Sequence, residues 1–567
     1  VQLLTKPLVV EANQRKEDPP SLSPYIQDLL FLSIFVALCS GFYIHQVGFY
    51  SIDWHWLSRM RMSPDQSFLG AVTSLRGAYT AMRPMEMVWW CLLYKAFALN
   101  PLGFHVTNAV VSLFGVLLLY GAARQLGLQR LFAVVVALLY AVTPLYCTDH
   151  FWLDCFTINV SVVLCLLSLN ADLYAITSGR FWLWRSVSLV CVIVSLLSYE
   201  IAMPLFVFNQ LLLCVFRRSY LQSNPVASRR GIAFFLSVSL HVATIAAIAL
   251  FKLKTTMRLD KPVPNELSSH LYFFAHTVAT SAQYALGPYG LELPKTVFSV
   301  LRHDPNIVSL ILAASAFLLC AGYVYFLSNP SWQWLTGRRS AQLLAAGMLV
   351  FVLGYSMFLT NSQAILSPAG MGNRVSIVAA FGAAMVYAGL FGLLSCRLAP
   401  ALRRITFACL VGTFAAGSML IDNRIASCWI SSWHQQLTIA RDIKRNFPSL
   451  PKKTILMLDG VNPYVGPAVV FESPWDLSSL LVLVYRDPTL RADIVTKNLA
   501  AAGLGLTTSY LGLVPVRSDY AYSSKLLIYN YQDKKTVPCA DATVARSYLR
   551  IHPPSKALRE VVGDPAF

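Results

Sequence analysis

Residues 50–103 read YSIDWHWLSRMRMSPDQSFLGAVTSLRGAYTAMRPMEMVWWCLLYKAFALNPLG. The stretch follows the first long apolar segment and precedes a series of others. It carries one acid among aromatics, Ile52-Asp53-Trp54-His55-Trp56, then the pair Arg83-Pro84, then an amphipathic, aromatic helix candidate over residues 85–99. A stretch of this make-up between apolar segments belongs at a membrane surface. Read as the first external loop of a polytopic membrane domain, it decides the fold.

Composition agrees. The chain has 567 residues, 56% hydrophobic and only 13% charged, against about 25% charged in soluble domains. The net charge of +18 raises a nucleic-acid reading, but most arginines fall in short loops between apolar segments, which is the positive-inside signal. No nucleic-acid partner is expected; the lipid bilayer is. The 12 cysteines are scattered, mostly in apolar segments, without a CxxC or Cys/His cluster, and read as small core hydrophobes. A disulfide between Cys428 and Cys539 has no support from spacing.

Working outward, residues 1–26 are polar and read as a cytoplasmic leader. Residues 29–47 follow too long a polar stretch for a cleaved signal and read as an uncleaved first span. Further spans are expected at 104–123, 131–147, 156–176, 186–198, 201–216, 231–251, 307–327, 341–360, 375–396 and 405–421. That makes about eleven, each near the ~20 residues that cross a bilayer core. Residues 185–216 are too long for one helix, and Ser198-Tyr199-Glu200 with Pro204 is the natural break. Arg124 and Arg130, Arg180 and Arg185, Arg217, Arg218, Arg229 and Arg230, Arg338 and Arg339, and Arg397, Arg403 and Arg404 make every second loop basic. The N-terminus is then inside and the C-terminus outside. External segments are 50–103, 148–155, the turn at Glu200, 252–306, 361–374 and the tail from 422.

The expected domains are the leader, a transmembrane domain over 27–421 and an extracytoplasmic α/β domain over 422–567. In that tail, 422–447 reads as a helix leaving the membrane. Residues 454–459 (TILMLD) and 524–529 read as strands, and 474–485 and 541–548 as helices.

Several residues can carry chemistry. A carboxylate at Asp53, in an apolar aromatic run, is desolvated; that raises its pKa and suits it to take a proton from a hydroxyl or amine. Taken alone it reads first as an interfacial helix cap, with Trp54 and Trp56 as belt residues and His55 beside them. Arg83-Pro84 opens a helix whose free N–H groups, with the guanidinium, suit a phosphate; the plain reading is a head-group anchor. Glu86 and Lys95 on that helix read as facing water. His105 and Asn108 share a helix face and either support a site or satisfy each other. His150 and Asp154 read as wet loop residues. Glu200, an acid between two membrane segments, is a functional residue by default. Arg374 is a cation on the external side, against the basic-inside trend, and needs an anion: a lipid-linked phosphate, Asp53 or Glu200. No Walker, HExxH or GxSxG motif is present, and no Gly-rich loop supports a nucleotide-sugar site.

An acid after the first span, then Arg83-Pro84, then Leu93-Tyr94-Lys95-Ala96-Phe97-Ala98-Leu99-Asn100-Pro101-Leu102-Gly103-Phe104-His105-Val106-Thr107-Asn108 resembles GT-C-type polytopic glycosyltransferases, in particular the protein O-mannosyltransferase-like members. Tyr140-Ala141-Val142-Thr143-Pro144, Ser198-Tyr199-Glu200 and Asn373-Arg374 are similar to later family positions, and the resemblance covers residues 27–220 best. It implies a donor sugar on a polyprenyl phosphate, an acceptor hydroxyl on a glycan, lipid or protein, Asp53 as base, and Arg83 and Arg374 as phosphate contacts. His55, His105, Asp154 and Glu200 would support them. The chain departs from the family in having Ile52-Asp53 where many members carry paired acids. No cofactor is therefore expected, with a divalent metal left open. The expected function is an inverting, polyprenyl-phosphate-dependent transferase. A lipid-linked-sugar flippase, an O-antigen-ligase-type transferase and a non-catalytic scaffold stand as alternatives. The one N-x-S/T match, Asn159-Val160-Ser161, lies within a span, which favours a bacterial inner membrane with a periplasmic site over the ER lumen.

Overall fold

The computed structural model describes residues 23–77, 80–223, 231–257, 267–331, 336–359, 366–509 and 517–554. Most of the expected leader, and Arg229 and Arg230, lie outside the described residues. Every expected span falls on a helix. Among the described residues eight helices are long and apolar enough to cross a membrane. The other three expected spans are shorter or more polar. Arg130–Val142 has 13 residues. Met203–Ser223 carries Asn209, Gln210, Arg217 and Arg218, and Gly337–Gly354 opens on two arginines. The expected count of about eleven is thus eight by length and composition, with three further helices. Arg130–Val142 is buried all round from Leu131 to Val142, as a helix apolar on every face must be, and it forms the middle of the bundle.

Local chemistry sets the helix ends. Asn100 accepts the Leu102 amide at 3.1 Å and Pro101 takes the first helical position, so Pro101–Gln125 starts where the sequence turns apolar. The expected break holds: Phe181–Ser198 stops before Tyr199, and Met203–Ser223 follows. Helices Gly337–Gly354 and Ile377–Cys396 pack with their backbones nearly touching. A Cβ at Gly382 would collide with the backbone of Phe351 and Gly347, the small-residue contact that holds helices together in lipid.

At the end of the bundle away from residue 50, charges are buried and paired. Asp28, fully buried, accepts the Tyr120 hydroxyl at 2.5 Å, the Tyr323 hydroxyl at 2.6 Å and Arg130 Nε at 2.8 Å. Arg185, expected in a loop, lies inside Phe181–Ser198 and is 2% exposed. It binds Asp172 at 2.5 Å, Gln210 at 3.0 Å and Ser237 at 2.9 Å. A charge inside a bundle persists only when paired in this way.

The segment 252–306, expected as an external loop, holds two helices, Leu267–Leu286 and Leu293–His303. The second is amphipathic and buries Leu293, Thr296 and Val300; its charged outer face hid it in the sequence. The segment leaving the membrane is part of one helix, Pro400–Asn446, of 47 residues. At 1.5 Å per residue that is about 70 Å, more than twice a ~30 Å bilayer core.

The tail then turns back. A four-stranded sheet takes the order Arg491–Ile494, Ile455–Asp459, Leu526–Asn530, Lys535–Pro538. The first three strands are parallel and the last is antiparallel. Leu456 and Leu458 face helix Pro474–Tyr485, while Met457 faces Ala545, Tyr548 and Tyr520 on the other side. Helix Pro474–Tyr485 packs on Ile52–Arg61, the helix that carries Asp53. The α/β domain therefore sits directly on the segment 50–103, the expected first external loop. All 12 cysteines are free, Cys428 and Cys539 included.

Candidate active site

The turn before Asp53 is tied down from four directions. Tyr50, fully buried, donates to the Trp429 carbonyl at 2.7 Å, and its own carbonyl accepts Trp152 Nε1 at 3.2 Å. His105 Nε2 meets the Gly48 carbonyl at 2.9 Å. Asp53 Oδ2 accepts the Tyr50 amide at 2.9 Å. The cap reading of Asp53 therefore accounts for one of its oxygens. The other, Oδ1, is buried and makes no hydrogen bond of good geometry. Burial pushes the Asp53 carboxyl well above the usual range and the nearby Asp154 adds to this; the amides of Tyr50, Asp154 and Leu153 pull the other way without cancelling it.

The flanking tryptophans are not belt residues. Trp54 and Trp56 are 6% and 5% exposed. Trp54 Nε1 donates to Gln436 at 2.6 Å and Trp56 Nε1 to Asp154 at 3.2 Å. His55 rests on the Trp56 ring; burial and then Arg59 lower it to about 4, so it is neutral at pH 7. No hydrogen bond joins it to Asp53 among the described residues.

Beside this lies a compact charged group. Arg83 caps helix Pro84–Phe97, with Pro84 at its first position. Its guanidinium binds Glu200 in bidentate fashion, Nε at 3.0 Å and Nη2 at 2.5 Å, and lies over the Tyr199 ring at 3.8 Å. Lys252 Nζ reaches the same carboxylate at 2.9 Å. Burial pushes Glu200 up, and Arg83 and Lys252 together more than reverse this, leaving it well below the usual carboxylate range. Glu86, expected to face water, is 2% exposed. It stands 4.0 Å from Arg83, and its Oε2 has no hydrogen-bond partner. Burial raises it to about 8 despite Arg83. Lys95 is exposed as expected and reaches the Gln66 carbonyl.

The loop 148–155 is inside the structure, not in water. Asp149 is fully buried, Asp154 and His150 half-buried. Asn108 and Asn159 donate to the Asp149 carbonyl at 2.8 and 3.0 Å, so His105 and Asn108 brace two separate loops instead of satisfying each other. Asn373 accepts the Thr148 amide at 3.1 Å and donates to the Pro144 and Pro368 carbonyls at 2.8 and 2.9 Å. That stitch brings the next residue, Arg374, over the Trp152 ring at 4.8 Å. Its charge acts on Asp154 and Asp149.

No family model matches the chain, and no curated protein matches it. Two solved proteins are similar in fold. ArnT from Cupriavidus metallidurans, bound to undecaprenyl phosphate, is 16% identical over 82% of this chain and 86% of that chain, with a TM-score of 0.36. The archaeal oligosaccharyltransferase AglB from Archaeoglobus fulgidus, in complex with an inhibitory peptide and a dolichol-phosphate, is 12% identical over 82% of this chain and 64% of that chain, with a TM-score of 0.39. Both likenesses are remote in sequence and in superposition.

The structure gathers Asp53, Asp154, Arg83, Glu200 and Arg374 at one end of the bundle, under the α/β domain. His105 lies behind the turn that holds Asp53 and acts through it. Sequence reasoning missed Lys252 and misread Glu86. Lys252 carried a signal: like Arg374, it is a cation at the end of an apolar run. Glu86 carried none: apart from Arg83, the charges that act on it are Asp154, Glu200 and Lys252, which are remote in sequence.

Proposed function

We propose that the chain is a GT-C-type glycosyltransferase that moves a sugar from a polyprenyl-phosphate carrier to an acceptor hydroxyl on a glycan, lipid or protein at the external membrane face. The observation that carries this reading is the buried Asp53 carboxyl, whose Oδ1 makes no hydrogen bond of good geometry, beside Asp154, which in turn feels Arg374 and Arg83 of a group that also holds Lys252. Asp53 takes the acceptor's proton. The acceptor oxygen attacks the anomeric carbon from the face opposite the phosphate, so the configuration inverts. The bond from that carbon to the phosphate oxygen breaks, and polyprenyl phosphate leaves with its charge met by the cations. Arg83 and Lys252 share Glu200, and burial pushes the Glu86 carboxyl toward its neutral form; both support a phosphate as a further anion beside these cations. Arg83 and Arg374 are the phosphate contacts of this reading, with Lys252 added.

A phosphate leaving group needs little acid help, so the reaction as written uses no metal; transfer that survives EDTA supports this, and transfer abolished by EDTA and restored by Mg²⁺ or Mn²⁺ overturns it. The proposed location is a bacterial inner membrane with the site in the periplasm. The deciding experiment offers purified protein a panel of polyprenyl-phosphate sugars, wild type beside Asp53→Asn. Transfer by the wild type, with the variant down at least about 100-fold in kcat, is expected for loss of a general base. Equal transfer by both moves the base elsewhere. Donor binding without transfer by either turns the reading to a flippase.

A further inference from the structure

Ser51 begins the helix that carries Asp53 and sits at φ 47°, ψ −118°. The left-handed side of φ space suits glycine; a serine there is strained and persists only if its surroundings hold it. The holder comes from the other domain. Ser51 Oγ donates to Glu472 Oε1 at 3.1 Å, across 421 positions of chain. Glu472 is 3% exposed. Its second oxygen accepts the Tyr464 hydroxyl at 2.7 Å, and its amide donates to Asp476 Oδ2 at 2.7 Å. Tyr464 belongs to a small hairpin, Tyr464–Val465 with Ala468–Val469, that wedges into the membrane domain. Ala468 is fully buried in the membrane-domain core. The Val469 carbonyl accepts the Ser432 hydroxyl. Gly370, at φ 81°, lies so close to Pro467 that a side chain there would strike the Pro467 carbonyl.

We infer that Glu472 is a positioning residue: through Ser51 it holds the left-handed turn that aims Asp53, so the α/β domain must be docked for the membrane domain to act. A hydrogen bond to a buried carboxylate is of the same order as the strain it has to offset. Glu472 reaches this turn directly, and Tyr464 of the hairpin holds its other oxygen. The inference rests on the reading of Asp53 as base, and it adds to it a residue that never touches substrate.

The test compares Glu472→Ala, Ser51→Ala and Ser51→Gly in the full chain. Transfer from the polyprenyl-phosphate sugar panel is measured alongside hydrogen exchange of the peptide 48–57. Glu472→Ala and Ser51→Ala are expected to lose about 10- to 100-fold in kcat, as a misplaced reacting group does, with donor KM unchanged and faster exchange over 48–57. Ser51→Gly also loses the hydroxyl but takes the left-handed conformation without strain, so it keeps most of kcat. A merely structural serine would make the two Ser51 variants behave alike, and that result overturns the inference. If Glu472→Ala fails to fold, the Ser51 pair still decides. Full transfer by Asp53→Asn would remove the base reading alone; exchange over 48–57 in Ser51→Ala then still tests the clamp, and unchanged exchange overturns it.

Discussion

Glu200 offers the sharpest physical test of the charged group. It binds two cations at once, Arg83 at 2.5 and 3.0 Å and Lys252 at 2.9 Å. At an effective dielectric near 20 each contact is worth roughly 5 kcal/mol before desolvation. Substitution to Gln keeps the shape and removes the charge, leaving two nearly buried cations, 7% and 9% exposed, without their anion. Removing one partner of a buried pair costs about 3–5 kcal/mol, and the 22% exposure of Glu200 argues for the lower end, near 3. A loss of that size lowers the unfolding midpoint by about 2.5 °C in a chain of this length. A thiol-reactive dye reads it directly, because most of the cysteines are buried and free. The sign with pH also follows. Glu200 is held below its usual value, so its contribution is fully present above the ordinary carboxylate range and is lost only as pH falls through the depressed value. In a Glu86→Gln background, which removes the titration of Glu86 that Glu200 influences, the gap between the forms with and without Glu200→Gln should therefore be constant from pH 6 to 8. The triple variant Arg83→Met, Glu200→Leu, Lys252→Met should recover most of the midpoint, since an apolar replacement of a whole buried set is close to neutral. A Glu200→Gln midpoint within 1 °C of wild type would refute the reasoning.

Glu86 should behave oppositely. Its carboxyl is raised from 4.5 to about 8, so its contribution to stability is complete below 4.5 and is lost as pH rises through about 8. Glu86→Gln should match wild type near pH 5 and melt higher at pH 8–9, a crossing that thermal scans would reveal or exclude. Arg374→Met should lose about 10- to 100-fold in donor affinity, the worth of a charge-assisted contact, with Arg374→Lys recovering part of it; donor titration decides, and equal affinity in all three forms removes Arg374 from the phosphate site. Asp53 is raised above the usual range, so kcat/KM for transfer should climb with pH through that raised value, measured in a Glu86→Gln background to remove the second titration. A flat profile would speak against Asp53 as the base.

Much of this was legible in the sequence because a membrane imposes long apolar runs, and those runs place the loops. Asp53, Arg83, Glu200 and Arg374 stood out as charges next to such runs. The pairing among them was not legible. Arg83 and Glu200 are 117 positions apart, and Ser51 and Glu472 are 421 apart; no local pattern links such residues. Burial misled in one direction. Glu86 and Asp154 looked wet because their neighbours in sequence are polar or sit at helix ends. Arg185 looked like a loop cation, yet it is buried because Asp172, Gln210 and Ser237 meet it. In the tail, the longer strands and helices announced themselves. The edge strands Arg491–Ile494 and Lys535–Pro538 have four residues each, too few to show a period.

Glu200 was the natural rival to Asp53 as base, and the geometry separates them. Both are carboxylates at the same end of the bundle, but their surroundings push them in opposite directions, the arrangement by which one site runs two roles. Glu200 is ionised, and its oxygens are taken by Arg83 and Lys252. To accept a proton it would have to give up its charge on both contacts. Asp53 has one oxygen fixed by the Tyr50 amide, which sets its direction, and one oxygen without a hydrogen bond of good geometry. Its raised pKa makes it a stronger proton acceptor once ionised. The shared carboxylate also explains how these cations stand together: Glu200 holds Arg83 and Lys252 in place and Arg374 acts on Asp154, so on the proposed reading a donor phosphate would meet a group already assembled instead of one that must gather around it.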